Sequence, residues 1–289
     1  MLKTKMESII ACWFLLIFCE THCYKPVVLL HGIMTYNTSM ELIKNRIEEK
    51  HPGTIVYNTN RYSGWSSLEN MWEQVQNMGY DLMNITQKHP EGVNFLGYSQ
   101  GALIARAILQ AFPEHNVHNF ISLSGPQAGQ YGTAFLHIIF PGLALKSAFE
   151  LFYSRVGQHT SVGNYWNDPY HQELYYNYSD FLPYINNAIP SERSYDFKAG
   201  LVKLNNLVLI GGPQDNVITP WESAHFGYYD GNGTVINMGE RDIYIDDKIG
   251  LKTLDLLGKL KTITVPGINH FMWHKNMTMV DEFVLPYLD

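Results

Sequence analysis

The sequence predicts an α/β fold: a mostly parallel sheet with helices on both faces and an insertion capping one end. Three observations carry that expectation. Short apolar runs recur along the chain, and segments with helical spacing lie between the early ones. The runs are apolar throughout rather than alternating, as strands buried on both faces are. The alternation then fails between Gly125 and about Gly200, a stretch dense in Phe, Tyr, Pro and Asn.

Val27 to Leu30 is the first apolar run, and His31-Gly32 ends it. Residues 39–50 place Met40, Ile43 and Ile47 near helical spacing, with Ser39 as a candidate N-cap. His51-Pro52-Gly53 breaks that helix, and Ile55-Val56-Tyr57 reads as the second strand. Leu68 to Gln87 is a helix with Leu68, Trp72, Val75 and Met78 on one face. Val93 to Tyr98 is the third strand, and Gly101 to Phe112 is a buried helix stopped by Pro113. Phe120 to Leu123, Leu207 to Ile210 and Thr262 to Val265 complete six strands. Ala134 to Tyr153 is expected to line a groove for an acyl chain or to pack the insertion on the sheet. Tyr165-Trp166 and Tyr175-Tyr176 are expected to wall that groove.

Lys3 and Lys5 precede the apolar run Ile9–Phe18, which Glu20, Thr21 and His22 end. That pattern is expected of a secretory signal peptide over residues 1–23 and is too short for a membrane span. Residues 24–289 then form one domain, with the insertion at about 125–200. All three cysteines, Cys12, Cys19 and Cys23, fall in or beside the leader. The mature chain therefore keeps at most one and forms no internal disulfide. Asn37, Asn84, Asn177, Asn232 and Asn276 stand in N-x-S/T sequons, candidate glycosylation sites on a secretory route.

Of 289 residues, 46% are hydrophobic and 16% charged, which excludes wholesale disorder. The net charge is −7 and no Lys/Arg cluster stands out, so nucleic acid is not an expected partner. No transmembrane segment is expected in the mature chain. Metal-binding, dinucleotide and P-loop motifs are absent, and no cofactor is expected.

Gly97-Tyr98-Ser99-Gln100-Gly101 matches G-x-S-x-G, with an apolar strand running in and an Ala/Leu helix running out. That is the context of a nucleophile elbow, although a glycine-bracketed serine also suits an ordinary turn. A serine hydroxyl needs a base, and the base an orienting carboxylate. The α/β-hydrolase order is Ser, acid, His. Asp215 follows the fifth strand in a Gly/Pro turn, where an Asx turn is the alternative role. His270 follows the sixth strand, with His274 and His225 as competitors. The oxyanion needs two backbone N–H donors, assigned to Gln100 and to Ile33 in the loop after the first strand. His31 is expected to brace that loop.

The stretches HPGT (51–54), WEQVQ (72–76), GYSQGAL (97–103), ISLSGPQAGQYG (121–132), NYWNDPYHQELY (164–175), LVLIGGPQDNVITPW (207–221) and GLKTL (250–254) span the mature chain in order. In them the chain resembles the lysosomal palmitoyl-protein thioesterases, most closely the type 2 branch. The resemblance implies an α/β-hydrolase fold and a lysosomal serine thioesterase that removes long-chain fatty acyl groups from sulfur. It implies Ser99 as nucleophile, Asp215 as acid, His270 as base, and the backbone of Gln100 and Ile33 as oxyanion hole. The type 2 branch implies acyl-CoA-type thioesters in preference to bulky palmitoylated proteins. Relatives of this kind carry disulfides, which this chain lacks. The triad by itself does not separate sulfur from oxygen esters, so a lipase or carboxylesterase is the alternative on the same residues. A non-catalytic lipid-binding homologue is the alternative from another class.

Overall fold

A computed structural model describes residues 24–288. The leader-like run and all three cysteines lie outside the described residues. β1 (Val27–Leu30) leads through a 3-10 turn into α1 (Glu41–Lys50) and β2 (Val56–Asn58). A second 3-10 turn precedes α2 (Met71–Thr86), followed by β3 (Val93–Tyr98), α3 (Gln100–Ala111) and β4 (Val117–Leu123). Six short helices come next: α4 (Thr133–Ile139), α5 (Ala148–Phe152), α6 (Ser161–Tyr165), α7 (Gln172–Tyr178), α8 (Leu182–Ile185) and α9 (Ser194–Val202). The chain then forms β5 (Asn206–Gly211), the short strands β6 (Tyr228–Tyr229) and β7 (Val235–Ile236), α10 (Asp242–Ile245), α11 (Leu251–Leu256), β8 (Leu260–Thr264) and α12 (Met277–Phe283).

The main sheet has six parallel strands in the order β2-β1-β3-β4-β5-β8. Alternate side chains of the inner strands enter two separate cores. Val28, Leu30, Phe95, Phe120, Leu207 and Leu209 face the core that includes Val75, Met78 and Leu82 of α2, Leu103 and Ile108 of α3, and the insertion. Val27, Leu29, Leu96, Ile121, Val208 and Ile210 face Ile43 and Ile47 of α1 and Val280 of α12. Burial on both sides is why these strands read as continuous apolar runs. The edge strand β8 carries exposed Thr262 and Thr264 instead.

The strand order reverses at β1 and β3: the chain adds β2 on one side, then returns to add β3 on the other. The crevice above their C-terminal ends is where ligands bind in open α/β sheets. The loop after β1 and the turn after β3 both open there.

Several boundaries differ from the sequence reading. Ser39 does not cap α1. It lies in the preceding 3-10 turn, Asn37–Met40, with its hydroxyl donating to Tyr36 O at 2.8 Å. Leu68 belongs to a 3-10 turn, and α2 starts at Met71, where Asn70 accepts the Trp72 N–H at 2.8 Å. β4 begins three residues earlier than the apolar run, at Val117.

The insertion buries its rings in the core it shares with this face of the sheet. Phe152 and Trp166 lie 4.8 Å apart between centroids, and Tyr131 and Trp166 5.3 Å. Tyr165, Trp166 and Tyr175 are buried there, whereas Tyr176 is exposed. Arg106 of α3 ties this layer to the sheet. It is fully buried and donates to Asn186 Oδ1 at 2.8 Å, to Gln127 O at 3.0 Å and to Gln110 Oε1 at 3.2 Å. Its guanidinium also lies 5.1 Å from the Phe226 ring. No carboxylate pairs with it among the described residues, and burial pulls its pKa down to about 9.

Candidate active site

Ser99 sits in the turn between β3 and α3 with φ 55° and ψ −127°. A residue bearing a Cβ is strained there, and such strain persists only where the surroundings over-determine it. The surroundings here are close backbone contacts. A Cβ on Gly97 would lie 2.5 Å from Ala102 Cα, and one on Gly101 would lie 2.3 Å from His31 O. Only glycine at both positions lets strand, helix and first loop meet. The Ser99 N–H donates to Leu123 O at 2.9 Å, fixing the turn against β4.

The hydroxyl of Ser99 lies 2.9 Å from His270 Nε2, and His270 Nδ1 lies 2.8 Å from Asp215 Oδ2. An ionised carboxylate only accepts, so Nδ1 carries the proton and Nε2 is left to accept from Ser99. All three side chains are buried. Such a chain can draw the proton from a hydroxyl as it attacks a carbonyl carbon.

The loop after β5 wraps the carboxylate. Asp215 Oδ1 accepts the N–H groups of Val217 at 3.0 Å and Ile218 at 2.9 Å. Oδ2 accepts His270, the Trp273 indole N–H at 2.8 Å and the Ser124 hydroxyl in a short bond. Burial alone would push this carboxyl up. The bond to His270 and its charge, with the bonds from Ser124 and Ile218, outweigh burial and hold it below the usual carboxylate range. His270 is held as well: its carbonyl accepts the Tyr98 hydroxyl at 2.8 Å, and its N–H donates to Asn216 Oδ1 at 3.3 Å.

The loop after β1 lies against the elbow, since a Cβ on Gly32 would come within 3.1 Å of Ser99 Cβ. Gln100 is the first residue of α3, whose N–H has no partner within the helix. Neither its N–H nor that of Ile33 meets a backbone or side-chain acceptor among the described residues. Ser67 braces both segments. Its hydroxyl accepts Met34 N–H at 2.7 Å, and its carbonyl accepts Gln100 Nε2 at 2.7 Å. His31 stays within its loop, with Nδ1 2.9 Å from Gly32 O.

The competing histidines lie elsewhere. His274 packs on Tyr98 at 4.7 Å between ring centroids and bonds to neither Ser99 nor Asp215. Burial, with Lys275 and His270 adding to it, pushes its pKa down to about 4. His225 Nε2 meets Ile263 O at 3.2 Å, away from the relay. Ser124, Trp273, Tyr98 and Ser67 were not singled out from the sequence. Ser124-Gly125 reads as ordinary turn chemistry after a strand, and only its position at the same sheet edge as Ser99 and Asp215 hinted at more. Of the sequon asparagines, Asn84, Asn177 and Asn232 are exposed, while Asn37 and Asn276 are half-buried.

Comparison with known proteins adds an independent line. The family model described as Palmitoyl protein thioesterase matches residues 26–270. A Drosophila melanogaster protein named "Lysosomal thioesterase PPT2 homolog" is 58% identical over 266 residues, covering 92% of each chain. The Homo sapiens protein named "Lysosomal thioesterase PPT2" is 42% identical over 266 residues, covering 92% of this chain and 88% of its own. Among solved structures, an esterase from Exiguobacterium antarcticum superposes with a TM-score of 0.51 at 18% identity, covering 91% of each chain. That last likeness speaks to the fold alone.

Proposed function

Because this chain belongs to the palmitoyl protein thioesterase family, we propose that it hydrolyses long-chain fatty acyl thioesters through an acyl-enzyme on Ser99. The observation that carries the reading is the unbroken relay from Ser99 Oγ to His270 to Asp215, at 2.9 and 2.8 Å. Ser99 Oγ attacks the thioester carbonyl carbon while His270 Nε2 takes its proton. The oxyanion is held by the N–H groups of Gln100 and Ile33. The C–S bond breaks, the thiolate leaves with the proton from His270, and Ser99 carries the acyl group as an ester. Water then attacks that ester with His270 as base, freeing the fatty acid and restoring Ser99. Asp215 stays ionised and holds the ring in the required tautomer.

The relatives are named as lysosomal, and we extend that location to this chain by a secretory route. The leader-like run at residues 1–23 and the five sequons support the route, with Asn84, Asn177 and Asn232 the most accessible carriers of glycans. Ser99 is only 5% exposed, so the thioester carbonyl of either an acyl-CoA or a palmitoylated protein must reach into a closed site.

The test is turnover of palmitoyl-CoA by the secreted protein and by Ser99→Ala, beside p-nitrophenyl palmitate and an S-palmitoylated protein. Thioester turnover that vanishes in Ser99→Ala and exceeds ester turnover is the expected result. Turnover surviving in Ser99→Ala would overturn the nucleophile, and faster ester cleavage would make the enzyme a lipase.

A further inference from the structure

The carboxylate of Asp215 has one neighbour that the hydrolytic relay does not require. Ser124 lies just past β4, with its N–H donating to Ile210 O of β5 at 2.7 Å. It is 1% exposed, and its φ of 49° is in the left-handed region, disfavoured for a residue with a Cβ. Its hydroxyl donates to Asp215 Oδ2 and stands 3.4 Å from His270 Nδ1. Of the donors around this carboxylate, Trp273 and the backbone N–H groups of Val217 and Ile218 touch the acid alone. Among the described residues, Ser124 is the one side chain besides the base itself that reaches both the acid and the ring nitrogen it orients.

We propose that Ser124 is a positioning residue of the relay, its hydroxyl holding the Asp215 carboxylate in the plane and charge state that keep His270 aimed at Ser99. The proposal rests on the hydrolytic reading given above. A left-handed serine is kept where a glycine would relieve the backbone, and what the serine adds is the hydroxyl. That hydroxyl shares Oδ2 with the ring N–H and the Trp273 indole, and so helps fix the carboxylate that the ring N–H must meet. It also disperses the negative charge of the carboxylate.

Removing it has two effects with one sign. The carboxyl takes up a proton more readily, and the carboxylate that remains binds a protonated imidazole more tightly. Both deplete the pair of ionised acid and neutral base as pH falls, so the acid limb of the rate profile moves to higher pH. The other groups packed around the carboxylate do not replace the hydroxyl. Tyr98, on β3, has its phenol held neutral by burial and spends its proton on His270 O. His274 is kept neutral down to about pH 4 by burial and by the charges of Lys275 and His270. Trp273 does not titrate.

The experiment uses Ser124→Ala, which keeps the Cβ and the backbone strain and removes the hydroxyl alone. Ser124→Cys, which fills the same space with a weak donor, serves if the alanine variant does not fold. Palmitoyl-CoA hydrolysis is followed from pH 4 to 8 in each, with Ser99→Ala alongside. We expect kcat to fall about tenfold or more with KM changed less than twofold. The acid limb should rise by about one pH unit, the size of one lost bond to a charged group. A merely structural serine would lower the melting temperature and leave the pH profile of the folded enzyme in place. Wild-type kcat with an unmoved acid limb in a folded variant overturns the proposal. If Ser99→Ala is inactive in that case, Ser124 alone loses its role. If Ser99→Ala is active, the relay itself is wrong.

Discussion

Replacing Asp215 by asparagine exchanges one oxygen for an NH2 group and removes one charge. Every neighbour of that carboxylate donates: Val217 and Ile218 to Oδ1, and Ser124, Trp273 and His270 to Oδ2. The new NH2 must therefore face donors whichever way the amide turns. On the Oδ1 side it meets two backbone N–H groups that cannot move. On the Oδ2 side the serine can rotate and the imidazole can change tautomer, but the indole cannot. The second orientation costs less, and it places a donor against His270 Nδ1. That nitrogen then becomes the acceptor, Nε2 carries the hydrogen, and Ser99 has no base. The loss expected is about 10⁴ in kcat, or about 5.5 kcal/mol of barrier, with KM nearly unchanged. Stability should fall by about 2–4 kcal/mol at neutral pH, because buried donors lose a charged acceptor. The carboxyl is depressed in the fold, so its contribution is present above the unfolded value near 3.9 and is lost as pH falls through the folded one. The stability gap between wild type and variant should thus narrow below about pH 4. Palmitoyl-CoA turnover and urea unfolding across pH measure both. A folded Asp215→Asn enzyme within tenfold of wild-type kcat would refute the tautomer argument.

Gly101→Ala drives a Cβ to 2.3 Å from His31 O, so the loop carrying Ile33 must retreat. Losing one oxyanion donor in this way should cut kcat by about 10²-fold, read in the same assay. His115 is buried and neutral, accepting Val117 N–H on Nδ1 at 3.1 Å and meeting Gly200 O with Nε2 at 2.8 Å, and burial lowers its pKa to about 4. Its folded value lies below its unfolded one near 6.5, so its contribution is full above 6.5 and drains away as pH falls toward 4, at up to about 1.4 kcal/mol per pH unit. His115→Gln should flatten the melting temperature against pH in that window, and an unchanged slope would count against it. Arg106→Ala leaves Asn186 Oδ1 and Gln127 O without their buried donor and opens a cavity. It should cost about 3 kcal/mol by urea unfolding, while the enzyme that remains folded keeps most of its kcat.

The six strands were readable because each inner one is buried on both faces, and a run such as Leu207–Ile210 has few other uses. Ser99, Asp215 and His270 were readable for a related reason. Each follows a strand at the same edge of a parallel sheet, so chain order translated into neighbourhood. What stayed hidden depends on contacts between distant segments. Ser39 has the chemistry of a cap, yet the 3-10 turn before α1 takes it out of position. The pair β6 and β7 has two residues in each strand, too few for any periodicity. The rings of the insertion suggested a groove, but Tyr165 packs on Phe135, and Trp166 on Phe152 and Tyr131, within the buried core. Nothing in the sequence marks Trp273, whose indole N–H ends on the carboxylate.

The uncharged cage around Arg106 has a consequence for how the chain could change over time. β4 and β5 are hydrogen-bonded neighbours in the sheet although the whole six-helix insertion runs between them, so in topology that insertion resembles a detachable module. Energetically it is not one. Asn186 and Ile185, which receive the guanidinium, belong to the insertion, while Arg106 belongs to the helix that begins just after Ser99. Trimming the helices would strand a positive charge in the middle of the protein, about two turns behind the reacting serine. The inner face of the insertion is therefore tied to the catalytic helix as one piece, and its outer face carries no such tie through Arg106.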